Sequence, residues 1–544
     1  MTRRAPRGRR AAVLLLTALL LGSCSASGAT RADRSSTTSR KASPSSTTAT
    51  TTPPTSPVPN RPYEPKLTAW KSCRGGLECA TLPVPLDWDR PQGTRLDLAV
   101  ARRTMAGAGP RVGSLLFNPG GPAESGVQFL RDIGESTDRF PKGLNGRFDI
   151  VSWDTRGSGA SAPIRCTTTQ EFEEPDLDPT PDTPAEVSAL DAKARRDARA
   201  CIAKAGPLFA HVGTASTARD LEALRQALGD AKLSYVGYSY GTVIGTLYAQ
   251  RYPTHVRAMV LDGVVIPGGE VIDETHRQAQ SFEHNLDAFL ADCASRPKCT
   301  FGHGNPKGAL TKLISDLERG ERLPASYSGK DDKGVAHGRA GTLGIGELYP
   351  ALILPLYSRS TWKVLEEGLA DATRTGKPDG FRLLSFRDQQ AGRQLDGTWD
   401  TSSDGRSAIR CEDTSVRASS VIGVQARATA WGRELPFFGA ASAIGLPGCY
   451  LFPPAAQPLT PPADGSITTA PIVIVSSTRD PATPYLRGKE LQAKIRGSVV
   501  LTWDAADHTG YGRQSPCLDA PITKYLIDLA VPRDGLRCRP TGTG

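Results

Sequence analysis

LSYVGYSYGTVIGTLYAQRY, residues 233–252, is the stretch whose reading decides the fold. Leu233–Tyr238 is dominated by apolar and aromatic side chains and reads as a buried strand, while TVIGTLYAQRY reads as a helix. Between them lies Gly237-Tyr238-Ser239-Tyr240-Gly241, a G-x-S-x-G pentapeptide. The pattern has a steric logic. A serine exposed on a strained strand-to-helix turn needs glycines two residues to either side, because larger side chains there would strike the helix and the neighbouring strand. Such a pentapeptide can arise by chance in a chain with 55 glycines, so its position between strand and helix carries the reading.

Outward from this turn, short apolar runs alternate with amphipathic stretches. LDLAVARR (96–103), GSLLFNPG (113–120), FDIVSWD (148–154), VRAMVLDG (256–263), PIVIVSS (471–477) and SVVLTWD (498–504) are predicted strands. STARDLEALRQALG (216–229) places Leu221, Leu224 and Leu228 on one helical face behind Ser/Thr caps. The alternation predicts an α/β fold, a mostly parallel sheet with helices on both faces. From about 266 to 465 strand-like runs thin out and helical segments such as HNLDAFLADC (284–293) take over. We read 61–265 as the first part of the core, 266–465 as a cap insertion and 466–544 as the rest of the core.

A serine nucleophile needs a base, and the base needs an acid that fixes its tautomer. In folds with a G-x-S-x-G turn these follow the serine in the order acid, then histidine, on loops after late strands. Asp480 follows PIVIVSS, and His508, the only histidine beyond residue 337, follows SVVLTWD. Asp480 could instead cap a turn before Pro481, leaving Asp507 as the rival acid. Two backbone N–H groups are also required to hold an oxyanion. Tyr240, next to the serine, is one candidate; the loop Asn118-Pro119-Gly120-Gly121-Pro122 offers Gly121, with Gly120 as the alternative. Asp154, Arg156 and the glycines of DTRGSG are expected to shape a turn rather than do chemistry.

The N-terminal end reads differently. Five arginines in the first ten residues precede the apolar run AAVLLLTALLLG (11–22), a signal peptide of residues 1–23 that is too short for a comfortable membrane span. Leu21-Gly22-Ser23-Cys24 looks like a bacterial lipobox, which makes Cys24 a candidate lipidation site and the membrane a partner. Residues 24–60, rich in Ser, Thr and Pro, read as a disordered tether. Of the formal net charge of +10, residues 1–10 hold +5 and residues 11–60 hold +3, so the rest is nearly neutral and a nucleic-acid partner is not expected. Apart from Cys24 there are ten cysteines, which fall into sequence neighbours: 73 with 79, 166 with 201, 293 with 299, 411 with 449 and 517 with 538. That suits an oxidising compartment. No histidine sits beside a paired Cys-x-x-Cys, so neither a zinc site nor another cofactor is expected.

Read together, NPGGP (118–122), SWDTRGSGAS (152–161), GYSYGT (237–242), VLDGVV (260–265), AIRCED (408–413), TRDPATP (478–484), DHTGYG (507–512) and the ending Cys517…KYLIDLAVPRDGLRC resemble the tripeptidyl aminopeptidase and proline iminopeptidase group of α/β-hydrolases from high-GC Gram-positive bacteria. The resemblance implies the α/β-hydrolase fold, catalysis by Ser239, Asp480 and His508 without a metal, and release of short N-terminal peptides, commonly tripeptides, outside the cell. One departure stands out: the family often has a further glycine after NPGGP, where this chain has Ala123-Glu124. A substrate with a free N-terminus calls for a carboxylate to receive its ammonium; Glu412, Asp413 and Glu124 are the candidates. A carboxylesterase or lipase of the same fold, and a non-catalytic surface-binding lipoprotein, are the competing readings.

Overall fold

The computed structural model describes residues 63–540 apart from 136–140, 142, 331–335, 395–396, 416–420 and 447. The signal segment, Cys24 and the tether lie outside the described residues. Ten strands form one sheet: β1 (Lys71–Cys73), β2 (Leu77–Pro85), β3 (Arg95–Arg103), β4 (Gly113–Asn118), β5 (Phe148–Trp153), β6 (Leu233–Tyr238), β7 (Val256–Asp262), β8 (Ile472–Ser477), β9 (Val499–Trp503) and β10 (Arg537–Cys538). Their spatial order is β1-β2-β3-β5-β4-β6-β7-β8-β9-β10. The pairs from β5 to β10 are parallel, and those from β1 to β5 antiparallel.

The central strands are apolar almost throughout because both faces are covered. Tyr235, Met259, Leu261, Ile472 and Ile474 point into one hydrophobic core, whereas their neighbours Val236, Ala258, Val260, Val473 and Val475 point into the other. This is the period-two alternation of a strand sandwiched between helix layers. Helix α1 (Gly126–Glu135) follows β4, and α2 (Thr169–Glu173), α3 (Pro184–Ala205) and α4 (Thr214–Ala227) follow β5. Next comes α5 (Gly241–Arg251), directly after Ser239.

Between β7 and β8 the chain leaves the sheet for α6 (Val271–Ser295), α7 (Pro306–Glu318), α8 (Ile345–Leu356), α9 (Trp362–Ala372), α10 (Phe381–Ala391), α11 (Ser402–Asp413), α12 (Val421–Glu434) and α13 (Gly439–Ile444). It then returns through α14 (Leu486–Lys494) and α15 (Pro516–Asp528). The excursion has its own apolar core around Phe282, Phe289, Leu348, Leu352, Trp362 and Leu384, and this core also takes in Ala482 and Ala506. Those two alanines belong to the loops after β8 and β9, so the helical insertion packs directly on the loops that carry Asp480 and His508.

Two features depart from the sequence reading. Strand β2 is not legible in the sequence because Pro83 and Pro85 interrupt it; β1 pairs only with residues 77–79, so both prolines lie beyond the stretch that β1 covers. The second is the segment 166–205, assigned to the core from sequence, which is fastened to the insertion. The Cys166 and Thr167 N–H groups donate to Asp404 at 2.6 and 2.9 Å, Arg387 pairs with Asp176, and Phe172 stacks on Trp399 at 4.7 Å. The five disulfides join the sequence neighbours: Cys73–Cys79, Cys166–Cys201, Cys293–Cys299, Cys411–Cys449 and Cys517–Cys538. Among the described residues no helix is long and apolar enough to cross a membrane.

Candidate active site

Ser239 sits at the end of β6 with a left-handed backbone, φ 53°. A Cβ on Gly237 would come within 2.4 Å of the Gly241 carbonyl oxygen, and one on Gly241 within 2.9 Å of the Asn118 carbonyl. Only glycine fits at either place. The turn is held by the Ser239 N–H donating to the Asp262 carbonyl at 2.8 Å and by the Thr242 hydroxyl donating to the Ser239 carbonyl at 2.6 Å. A non-glycine residue held at positive φ stores strain of about 1–3 kcal/mol, which these contacts must offset.

Asp480 and His508 meet on adjacent loops. The imidazole Nδ1 lies 2.9 and 3.1 Å from the two carboxylate oxygens of Asp480, which also accepts the N–H groups of Ala482 and Thr483 at 2.9 and 2.8 Å. A carboxylate at Nδ1 keeps the proton there and leaves Nε2 as an acceptor. Nε2 is buried with no hydrogen-bond partner, that of Ser239 included. Such contacts commonly close only when substrate is bound. The backbone of His508 is pinned from the insertion by a 2.8 Å hydrogen bond to the Tyr357 carbonyl, with the Tyr357 ring edge-on to the imidazole. Asp507 is engaged elsewhere, accepting from the Ser358 hydroxyl at 2.6 Å and from the Trp503 indole at 3.1 Å, so it does not compete for His508.

Below the histidine loop, Asp262 accepts the N–H groups of Gly510 and Tyr511 at 2.9 and 2.7 Å. Complete burial pushes its carboxyl up to about 7.

The NPGGP loop presses on Ser239. A Cβ on Gly120 would fall 2.6 Å from the Tyr238 carbonyl and 2.9 Å from the Ser239 Cβ. The Gly120 N–H is spent on the Asn118 side chain at 3.0 Å, whereas Gly121 lines the cleft together with Ser239 and Tyr240. The N–H groups of Gly121 and Tyr240 have no acceptor among the described residues, so both are open to one.

The three carboxylates predicted to receive an amine separate. Asp413 lines the cleft, but its oxygens accept the Thr214 N–H at 2.7 Å, the Thr214 hydroxyl at 2.6 Å and the Tyr240 hydroxyl; burial raises its carboxyl to about 6. Glu412 turns away to the Ala456 and Gln457 N–H groups. Glu124 pairs with Arg406 at 3.0 Å. Sequence reasoning passed over Glu274, Gln278, Gln390, Arg406 and Arg410, all of which line the cleft. The 406-410-413 spacing, one face of a helix, was the signal for two of them. Glu274 binds Arg487 through one oxygen at 2.6 Å.

Asp154 and Arg156 are structural, as expected. Arg156 is wholly buried and makes a two-pronged pair with Asp220 at 2.7 and 2.6 Å, while Asp154 accepts from Ser125, Val127 and Ala160. Among the described residues, the cluster with metal-ligand spacing is Cys166, Cys201 and Asp404, whose two sulfurs are joined in a disulfide.

Residues 113–310 match a family model described as alpha/beta hydrolase fold, and residues 435–538 match one described as TAP-like protein. The chain is 36% identical over 505 residues to serine protease Hip1 of Mycobacterium tuberculosis, covering 87% of this chain and 92% of that protein. It is 34% identical to carboxylesterase B of the same organism, covering 89% and 92%. With the tripeptidyl aminopeptidase of Streptomyces lividans the identity is 29%, covering 87% of each chain. With its G-x-S-x-G turn and parallel sheet, the chain belongs to this family of α/β-hydrolases, that of serine protease Hip1, and is a serine hydrolase.

Proposed function

We propose that the protein is an exported serine aminopeptidase that releases short N-terminal peptides through an acyl-enzyme on Ser239. The Ser239 hydroxyl attacks the scissile carbonyl as its proton passes to His508 Nε2, and Asp480 stabilises the imidazolium. The carbonyl oxygen, now an anion, takes the Tyr240 and Gly121 N–H groups. Collapse breaks the C–N bond, His508 returns the proton to the leaving amine, and water repeats the sequence to free the peptide and the serine.

The observation that carries the exopeptidase half is the cleft itself. It has a volume of about 310 Å³, lies under α6, α8 and α11, reaches Ser239 and contains carboxylates. A space of that size beside Ser239 accommodates a few residues of a peptide. Since the oxygens of Asp413 are occupied, Glu274 is the carboxylate better able to receive an ammonium. A panel of tripeptidyl anilide, monopeptidyl anilide and short-chain nitrophenyl ester, with Ser239→Ala as control, tests the reading: tripeptide release dominates if it holds. The relative named carboxylesterase B favours the second reading, an esterase. Ester cleavage without anilide cleavage would establish that instead. Export and a lipid on Cys24 rest on the N-terminal sequence, and metabolic labelling with a fatty acid, lost in Cys24→Ala, checks them.

A further inference from the structure

Arg406, Arg410 and Asp413 stand at i, i+4 and i+7 of α11 and all face the cleft. Arg406 has Glu124, and Asp413 has Tyr240 and Thr214. Arg410 has nothing: among the described residues no carboxylate pairs with it and no group hydrogen-bonds to it. Its side chain is exposed, but into the cleft, with Arg406, Tyr240, Tyr357 and Glu274 as its charged and titratable surroundings. Being enclosed there lowers the pKa of the guanidinium, with the neighbouring Arg406 adding to the effect. The Nε of Arg406 is also buried without a partner.

A guanidinium that lines the cleft beside a second arginine, with no carboxylate of the protein paired to it, is open to an anion that enters the cleft. The helix cannot swing away. One end is tied to Thr214 through Asp413, the Cys411–Cys449 bridge anchors the last turn, and Ala408 and Ile409 are buried in the apolar cluster with them.

We propose that Arg410 is a carboxylate-binding subsite of the substrate cleft, so that the enzyme prefers peptides with an acidic group close to the bond cleaved. The carboxylate is either an Asp or Glu side chain or the terminal carboxylate of a short peptide. Arginine's fork of donors grips a carboxylate in two places, which gives geometric selection as well as attraction. The inference rests on the peptidase reading for its substrate class but not for its binding readout.

The experiment uses two matched sets of peptides. Tripeptidyl anilides with Glu or Gln at each position carry no terminal carboxylate, and short peptides ending in a free acid or an amide vary only that group. The ratio of kcat/KM for acid over its neutral twin is read in the wild type, Arg410→Gln, Arg410→Lys and Arg410→Glu. The wild type should favour the acid by roughly tenfold or more in one set, as expected for a charge-assisted contact. Arg410→Gln should bring that ratio to about one, Arg410→Lys should keep part of it, and Arg410→Glu should push it below one. A wild-type ratio near one in both sets, or a preference that Arg410→Gln leaves intact, overturns the proposal. Protection of Ser239 from a fluorophosphonate probe by the same peptides is measured in parallel. If no anilide is cleaved, yet acidic peptides protect only when Arg410 is present, the peptidase reading falls and the subsite stands.

Discussion

Tyr240 and Asp413 are joined by a hydrogen bond from the phenol hydroxyl to the carboxylate. The residue that follows Ser239 is thereby tied to the last residue of α11, 173 positions further along the chain. The tie makes the position of Tyr240 depend on the insertion. It also changes what Asp413 can do, because a carboxylate already accepting three hydrogen bonds has little left for a substrate ammonium.

Asp413→Asn should therefore lower kcat/KM for free-amine peptides and for N-blocked esters by similar factors, through a loosened Tyr240. Glu274→Gln should raise KM for free-amine peptides at least tenfold more than for N-blocked esters, as loss of an ion-paired contact does. Steady-state kinetics on the two substrate types checks both. A selective KM effect in Asp413→Asn would return the amine to that residue.

Asp480→Asn should reduce kcat by about 10⁴ by favouring the wrong histidine tautomer. Asp507→Asn acts differently. Its carboxylate supports Ser358 and Trp503 away from the imidazole, so the loss should be mainly in stability, about 1–3 kcal/mol. Single-turnover rates together with urea unfolding separate the two variants.

Stability should increase from neutral toward mildly acidic pH. The carboxyl of Asp262 is raised from 3.8 to about 7 and that of Asp413 to about 6, both chiefly by burial. Between the unfolded and folded values the native state binds more protons than the unfolded chain, so stability falls as pH rises through that window and levels off above it. Glu366 works the other way: hydrogen bonds from Lys363, Thr300 and Arg296 outweigh its burial and hold it near 2, so its contribution is lost as pH drops below the unfolded value. Tm against pH should peak on the acidic side of neutrality, and Asp262→Asn should flatten the neutral limb.

Replacing Cys411 and Cys449 by serine removes a bridge with a sequence separation of 38 that anchors the end of α11. The expected cost is about 2–4 kcal/mol. Because Arg410 and Asp413 share that helix, activity should fall at temperatures where the protein is still folded, measured as a loss of fluorophosphonate labelling at Ser239 ahead of the melting transition.

What could be read from the amino acids was local in origin. Each central strand is buried on both faces, which writes a continuous apolar run, and the Ser239 turn needs glycines at 237 and 241, which writes a motif. The disulfides close between neighbours, and Asp480 and His508, which meet in the structure, stand shortly after recognisable strands. β2 escaped because Pro83 and Pro85 break its pattern, and the docking of 166–205 on the insertion escaped because a polar helical surface does not name the surface it will meet. The same holds inside the cleft. Asp413 in AIRCED was a candidate for a substrate amine, nothing in the sequence singled out Glu274 or Arg410, and Gly120 stood as the alternative to Gly121. Which of these groups is occupied and which is open depends on partners far away in the chain, 199 residues for Asp413 and Thr214, and such pairings exist only once the two layers are packed.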